Sequence, residues 1–527
     1  MEKERIYPVG IQDFEKLRTK GAIYIDKTDV IYKLVKRDYI FLSRPRRFGK
    51  SLLSSTLKYY FQGRRDLFEG LAIEKLESEW KHYPVLHFDL STTKNRDING
   101  VKSELDSQLI PFEKEYGVVP EPGKTAGQRL TNLIRIAHRQ TGQKTVVIID
   151  EYDAPMLDVL HETEKLKEIR RMMQEFYAPM KACDADLRFV FITGITKFSQ
   201  LSIFSVINNL TNISMLPEYS SICGITEKEL HTTMAEDIDM LANKTGCTNL
   251  EMKTRLKEYY DGYHFSEECE DIYNPFSLLN AFSLKRIKNY WFSSGTPTYL
   301  IHQLQRFNTR ITTLDEISAS EEMFDRPSEA MNDALPLLYQ SGYITIKGYE
   351  PELGIYILGI PNKEVQIGLT EHLLPWYTKQ SDSINGGFIL DFCRAVLHED
   401  MNKALNIMRA YLAGIPYPEG GKAILEDMEK NEYYYETIFY LMFSFMNRYI
   451  QTQVKTCRGR ADMVMETPKA IYVFELKINK SAHEALNQIN EKGYMIPYIA
   501  DGRKIVKCGI NFSTQTRTIE EWLIEEA

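Results

Sequence analysis

Two short apolar runs, each ending in a polar turn, constrain the fold of this chain most. RDYIFLSRPRRFGKSLLSSTLKYYF, from Arg37, reads as a strand over Tyr39–Leu42, a loop, and a helix from Lys50. The loop closes on Gly49-Lys50-Ser51, as a Walker A motif does. In such a loop the N–H groups at the helix start cradle phosphates, Lys50 reaches the β- and γ-phosphates, and Ser51 ligates Mg²⁺. Arg46, Arg47 and Phe48 stand beside these residues as further nucleotide contacts, with phosphates of nucleic acid or ion pairs to acidic residues of the fold as alternatives for the two arginines. One departure stands out: Arg44 replaces the first glycine of GxxxxGK[ST], and Pro45 stiffens the entry. KTVVIIDEYDAPM, from Lys144, is the second run. Val146–Ile149 reads as a buried parallel strand and Asp150-Glu151 as its acidic end, the form of a Walker B element. Asp150 is expected to hold Mg²⁺ through water, and Glu151 to polarise the attacking water. LRFVFITGITKF, from Leu187, adds a strand whose Thr193 or Thr196 is placed to sense a γ-phosphate, and VLHFDLS adds another. Strands alternating with helices predict a three-layer α/β sheet.

GRADMVMETPKAIYVFELKIN, residues 459–479, carries a different chemistry. Asp462 lies in one apolar strand and Glu475-x-Lys477 in the next, with Glu475 and Lys477 on one face by the two-residue period. Two carboxylates suit a hard cation such as Mg²⁺, and a lysine beside them can hold a water or stabilise a charged phosphorane. A solvated Glu/Lys pair on an edge strand is the plainer alternative. The apolar neighbours Ile471, Val473, Leu476 and Ile478 weigh against it, since a charged pair within an apolar strand needs partners. An apolar helix precedes the hairpin (NEYYYETIFYLMFSF), and a helix (SAHEALNQINEKGY) and a strand (IVKCGINFS) follow it. This order resembles the PD-(D/E)XK nuclease superfamily over about residues 385–527. The resemblance implies a Mg²⁺-dependent nuclease site of Glu432, Asp462, Glu475, Lys477 and Gln488; Ala461 stands where the name pattern has proline.

Composition sets limits rather than function. The chain has 527 residues, which suggests about three domains, with 43% hydrophobic and 26% charged residues, as in ordinary globular protein. No run approaches eighteen apolar residues, and the first residues, MEKERIYPVGIQDF, lack the apolar stretch of a secretory signal. Seven scattered cysteines, without CxxC or Cys/His spacing, read as reduced thiols of a cytoplasmic protein. A net charge of −8 argues against a generally basic nucleic-acid coat but permits a local basic groove.

Between these regions, ITEKEL carries a capping box, Thr226 with Glu229, and opens a mostly helical stretch. YYDGYHF and NYWFSSGTPTYLI read as packed turns, with Tyr263 and Trp291 as alternative base-stacking residues. A helix and two strands over 334–365 outline a winged helix. GIPYPEGGKA, from Gly414, reads as a linker. Lys27 in YIDKTDV reads as a solvated lysine beside an Asp26 or Thr28 cap, with a nucleotide contact as the alternative. Arg170 and Arg171 read as a charged helix face, with arginine fingers as theirs.

YPVGIQDFEKLRTKGAIYIDKTDVIYKLV, RPRRFGKSLLSSTL, IIDEYDAPM, FITGITKFSQLSIFS, YYDGYHF, NPFSLL and WFSSGTPTYLI occur in this order. Together they resemble bacterial AAA-ATPase-like proteins with a carboxy-terminal PD-(D/E)XK domain, in which RPRRFGKS is the usual loop. The resemblance implies an α/β chain in four parts: a P-loop AAA-like core (1–225), a helical lid (226–320), a winged-helix-like region (321–384) and a restriction-endonuclease-like domain (385–527). It implies ATP and Mg²⁺ as cofactors and nucleic acid as partner, DNA ahead of RNA, in defence against mobile DNA or its maintenance. Homo-oligomerisation is left open, since AAA-like cores occur both as rings and as single switches. The alternative is a nucleotide-dependent switch whose carboxy-terminal domain binds nucleic acid or protein without cutting it.

Overall fold

The computed structural model describes residues 5–526 apart from 94–96, 158, 160–161, 197–208, 295–299, 302, 305–306, 308, 327–331, 379–381, 416–431, 445–448 and 457–458. The side chains of 293–294, 377–378, 382–386, 432–435, 449–456 and 459–460 are likewise not described. The chain forms two compact units, Met1–Trp291 with Ser318–Asn362, and Phe292–Ile317 with Lys363–Ala527. The division near 362–363 falls before the 384–385 boundary expected from sequence.

In the first unit a five-stranded parallel sheet comprises β1 (Tyr39–Ser43), β2 (Val85–Asp89), β3 (Thr145–Asp150), β4 (Leu187–Gly194) and β5 (Thr211–Asn212). Their order is β2-β3-β4-β1-β5. Every residue of β1 and β3 is buried, as the uninterrupted apolar runs require of strands covered on both faces. The helices Ile98–Glu115, Ala126–Thr141 and Thr163–Tyr177 cover one face. They place Leu105, Leu130 and Met173 against Phe88, Ile149 and Ile192. The helix Lys50–Phe61 packs on the sheet as well, with Phe61 against Phe189 of β4 at 4.8 Å between ring centres. The consequence for function is positional. β4 lies between β1 and β3, so the P-loop and the acidic turn open at the same carboxyl edge, with the end of β4 between them.

The helices Glu227–Thr233, Ala235–Thr245, Asn249–Tyr260 and Pro275–Leu284 form a second core in this unit, around Leu230, Ile238, Leu256 and Leu278. The capping box of Thr226 and Glu229 is present, and Thr248 with Glu251 makes another. A short ladder of β6 (Ile225–Thr226) and β7 (Ile272–Tyr273) precedes the first of these helices, and Ile272 of β7 bridges in turn to Tyr263 of the YYDGYHF segment. Next come β8 (Ile317–Ala319), the helix Leu335–Gln340, β9 (Thr345–Glu350) and β10 (Ile355–Gly359), with sheet order β8-β10-β9. This reproduces the expected helix and hairpin with a third strand added.

The second unit is built on a mixed sheet of β11 (Tyr449–Thr456), β12 (Gly459–Glu466), β13 (Ala470–Ile478), β14 (Lys504–Ser513) and β15 (Thr518–Glu526), in that spatial order. β13 and β14 are parallel, joined by the helix Ala482–Lys492, and the other pairs are antiparallel. The expected hairpin, helix and strand are all present. β11 and β15 extend the sheet beyond them. Ile471 and Val473 face Leu486, Ile489 and Tyr494, whereas Phe474 and Phe512 meet Phe443 and Phe439 of the helix Glu432–Ser444. The proposed linker, 414–423, lies almost wholly outside the described residues.

Gly194 ends β4 where the acidic turn crosses it. A Cβ there would collide with the Asp153 carboxylate and lie 2.6 Å from the Tyr152 ring, both fully buried. Gly194→Ala should therefore lower stability by about 1–3 kcal/mol, the usual cost of overpacking a filled core. An unchanged urea midpoint would refute this tight crossing.

Candidate functional site

The P-loop is shaped by backbone rather than by its basic side chains. Arg47 has φ +69° and Gly49 φ +92°, so left-handed residues flank Phe48. Such a run turns successive N–H groups toward one centre, and Gly49 supplies no side-chain cap to the helix Lys50–Phe61. The first N–H groups of that helix are therefore left for an anion. Lys50 is buried, and its Nζ donates to the Arg44 and Pro45 carbonyls at 3.0 and 3.1 Å. Burial pushes its pKa down, while Glu151, Asp150 and Asp153 oppose the shift. Gly49, Lys50 and Ser51 thus stand at the turn from the loop into the helix.

Ser51 and Asp150 are brought together. The Ser51 hydroxyl hydrogen-bonds the Asp150 carboxylate, and Asp150 Oδ1 also accepts the Glu151 N–H at 3.0 Å. Burial raises the Asp150 pKa to about 6. A hydroxyl and a carboxylate in contact at a phosphate-binding helix start fit a hydrated Mg²⁺, which keeps several waters and takes few protein ligands. Glu151 follows with φ +48°, a strained conformation of the kind found at functional turns.

The remaining loop residues have other partners. Arg47 Nη1 donates to the Tyr290 carbonyl at 3.1 Å, and its guanidinium stacks on Phe276 at 3.7 Å. Phe48 is buried, edge-on to Tyr263 and Phe265. Arg46 is exposed. In this structure the Arg47 and Phe48 side chains are thus engaged in packing. Thr193 is engaged within the sheet. Its buried hydroxyl donates to the Leu42 carbonyl of β1 at 2.8 Å, which occupies it in joining two strands. Thr196 is held by Asp153, whose Oδ2 accepts from the Ile195 N–H and from the Thr196 N–H and hydroxyl, at 2.7–3.1 Å. Lys27 is not solvated, and it lines a cleft that adjoins Phe48 and Gly49. It is buried, and its Nζ pairs with Glu229 at 2.6 Å. Tyr263 and Trp291 are buried, which removes them as base-stacking platforms. Arg170 and Arg171 lie on the helix Thr163–Tyr177.

Arg44 explains the departure from the Walker A pattern. Its side chain is 1% exposed and donates to the carbonyls of Ser43, Ser214, Tyr219 and Ser220 at 2.6–3.4 Å. Its guanidinium also lies 4.2 Å from the Phe265 ring centre. It closes the loop entry from inside, where a glycine would leave four carbonyls without this donor.

Sequence reasoning missed two features. Asp153, the last acid of IIDEYD, clamps the turn after β4, and the tripled acids were its only signal. An open cleft of about 100 Å³ adjoins Gly49 and is lined by Pro8, Ile23, Ile25, Ile225 and Leu279 among others. Its apolar lining is of the kind that receives a flat ring. Its walls come from segments far apart in sequence, so no local pattern announced it.

In the second unit, the last ladder pair of β12 and β13 is Met463↔Phe474. One residue further the strands part, and Asp462 Oδ2 accepts the Leu476 N–H at 2.8 Å. The carboxylate thus takes a backbone donor at the fork. Glu475 is 1% exposed, and its Oε1 accepts from Lys477 Nζ at 2.8 Å. Gly509 of β14 stands in register with Glu475. A Cβ there would lie 2.5 Å from the Ala482 carbonyl, so this glycine lets the helix Ala482–Lys492 approach closely. Gln488, on that helix, donates to the Tyr494 hydroxyl at 3.2 Å. The structure thus brings Asp462, Glu475 and Lys477 to the fork, with Gln488 on the helix that packs over β13 and β14. Glu432 opens the preceding helix, but its side chain lies outside the described residues; Glu436, one turn on, is buried and was not foreseen. Among the described residues no group of three or more His, Cys, Asp or Glu could hold a metal by itself. Two carboxylates with water are a donor set that suits a hard, oxygen-binding cation such as Mg²⁺.

Residues 8–204 match the family described as predicted AAA-ATPase, and residues 430–522 match the PD-(D/E)XK nuclease superfamily. The uncharacterized protein in the vnfD 5′ region of Azotobacter chroococcum mcd 1 is 32% identical over 527 residues, covering 98% of each chain. Among solved structures, Aeropyrum pernix ORC1 in complex with DNA aligns over 66% of this chain and 93% of its own, at 11% identity and a TM-score of 0.25. Aeropyrum pernix ORC2, in ADPNP–ADP complexes, aligns over 68% and 91%, at 13% identity and 0.24. Overlaps this loose have no bearing on function.

Arg44→Gly would restore the common Walker A spelling, yet it should destabilise the protein by about 3 kcal/mol or more, because buried carbonyls lose a charged donor. A gain in thermal stability would overturn the role given to Arg44. Asp150→Asn should act in the opposite direction. A folded-state pKa near 6 against about 3.9 unfolded means the buried charge costs stability that mounts as pH rises from about 4 to 6. Relative to wild type, Asp150→Asn should gain on the order of 2–3 kcal/mol at pH 8 and nothing near pH 4, while losing Mg²⁺-dependent nucleotide binding. Parallel stability–pH curves would contradict this.

Proposed function

The chain belongs to the family of predicted AAA-ATPases that carry a carboxy-terminal PD-(D/E)XK nuclease-superfamily domain, and from that premise we propose an ATP-dependent nuclease. Its P-loop binds ATP with Mg²⁺. Its β12–β13 fork hydrolyses phosphodiester bonds of nucleic acid, and nucleotide state governs access to the cut. The observation that carries the nuclease reading is Asp462 accepting a backbone N–H at the fork beside a buried Glu475–Lys477 pair. A solvated edge pair has no reason to be buried.

At the P-loop, the N–H groups of Gly49–Ser51 bind phosphate oxygens. With nucleotide bound, Lys50 would leave its loop carbonyls for the β- and γ-phosphates, Ser51 and Asp150 would hold hydrated Mg²⁺, and Glu151 would orient water toward the γ-phosphorus. At the fork, Asp462 and Glu475 would hold Mg²⁺, which activates the attacking water and stabilises charge on the phosphate. Lys477, released from Glu475, places its ammonium against the attacking or departing oxygen. Gln488, on the adjoining helix, orients a phosphate or water by hydrogen bonding.

One observation favours a rival, a switch that holds nucleotide without turning it over: the Thr193 hydroxyl is already donated to β1. The deciding experiment offers labelled DNA and RNA with Mg²⁺ or Mn²⁺, with and without ATP, to the wild-type chain and to Glu475→Gln. Cleavage that falls by roughly a hundredfold or more in Glu475→Gln, and that responds to ATP, is the expected result. ATP binding with no cleavage of any substrate would replace the nuclease with the switch.

A further inference from the structure

The YYDGYHF segment and the loop after it hold a cluster that neither site uses. His264 Nδ1 lies 3.1 Å from Asp271 Oδ1, and the imidazole hydrogen-bonds Cys269. The thiol donates to the Ser266 carbonyl at 3.7 Å, and the backbone of Phe265 and Ser266 favours its thiolate. Cys269 is only half-buried and forms no disulfide, and Asp271 and His264 both reach solvent. Lys257 and Lys347 face Asp271 from the helix Asn249–Tyr260 and from β9. Asp271 orients His264, His264 supplies the positive partner of a thiolate, and the backbone adds to it. These are the conditions that make a thiol reactive. Consistent with them, the His264 pKa is pushed up to about 9, chiefly by Asp271, and that of Cys269 is lowered.

The loop is wired to the nucleotide site. Thr345 Oγ1 of β9 accepts the His264 N–H at 2.8 Å and donates to the His264 carbonyl at 3.0 Å. Tyr263 and Phe265, on either side, hold Phe48 of the P-loop between them at 4.8 and 5.3 Å. Phe265 also carries the Arg44 guanidinium.

We propose that Cys269, backed by His264 and Asp271, is a hydroperoxide-reactive thiol whose oxidation loosens the P-loop. The thiolate attacks the peroxide. An S–O bond forms, the O–O bond breaks, sulfur loses two electrons, and the departing hydroxide leaves as water with the proton of the His264 imidazolium. The product is a neutral sulfenic acid beside a neutral imidazole, so the ion pair that holds His264 against the loop is gone. The strain passes to Tyr263 and Phe265 and so to Phe48.

The test exposes the full chain to hydrogen peroxide, traps sulfenic acid with dimedone, and maps all seven cysteines by mass spectrometry. Cys247, half-buried like Cys269, is the internal reference. Cys269 should be labelled about tenfold faster than Cys247 at pH 7, and Asp271→Asn or His264→Asn should remove most of that advantage. Asp271 is half-exposed, so its variant should fold even where the His264 one does not. Amide hydrogen exchange over residues 44–50 should quicken in the oxidised protein, a readout that needs no nucleotide and so stands apart from the ATP reading. Equal labelling of Cys269 and Cys247, or exchange at the P-loop that oxidation leaves unchanged, would overturn the proposal.

Discussion

The buried guanidinium of Arg44 is the interaction on which the nucleotide-binding unit depends. A charged group removed from water costs several kcal/mol unless its donors are met, and four carbonyls and an aromatic face meet most of them here. Those carbonyls belong to the end of β1 and to residues 214–220, which the β1–β5 pairing and the Ser43 N–H on Ser214 Oγ at 2.8 Å bring near and the arginine ties together. The arginine fixes where β1 stops, and hence where the phosphate loop begins. Lys50 is buried beside it on the Arg44 and Pro45 carbonyls. An arginine at this position is therefore no obstacle to phosphate binding, because the N–H groups that matter belong to Gly49, Lys50 and Ser51.

A related clamp serves the acidic turn. Asp153 is fully buried and accepts three hydrogen bonds from residues 195–196, while Tyr152 donates its hydroxyl to the Thr196 carbonyl and its N–H to the Thr193 carbonyl. The turn that presents Asp150 and Glu151 is thus tied to the end of β4 rather than to β3 alone. Gly194 must lack a side chain for this to fit. A strained Glu151 persists because its neighbours on both sides are held.

The sheets were legible in the sequence because their signals are local. Buried parallel strands read as unbroken apolar runs, and Glu475-x-Lys477 shares a face by strand geometry alone. The fork at Asp462 follows from the same alternation. What was not legible depends on distant segments. Thr193 and Thr196 look like sensors until β1 and Asp153 are brought beside them. Arg47 looks like a phosphate ligand until Tyr290 and Phe276, more than two hundred residues on, are brought to it. Lys27 is explained only by Glu229, the third residue of a helix on the far side of the unit's sequence. Polar side chains near a motif are the hardest to read, because a long-range hydrogen bond can claim them without leaving any periodic trace.

The two sites share one electrostatic arrangement. In each, a carboxylate carried by a strand accepts a backbone N–H, Asp150 from Glu151 and Asp462 from Leu476. In each, a lysine is turned inward, Lys50 onto loop carbonyls near the acids and Lys477 onto Glu475. A buried carboxylate left alone would take up a proton, as the raised pKa of Asp150 shows. The lysine holds the negative charge in place, yet it occupies the position a ligand must enter. A divalent cation can replace that single positive charge and leave the ammonium free to meet a phosphate oxygen. A monovalent ion offers too little charge to offset the loss. On the proposed function, a divalent metal together with a polyanionic substrate would meet this requirement, ATP at one site and a nucleic-acid backbone at the other.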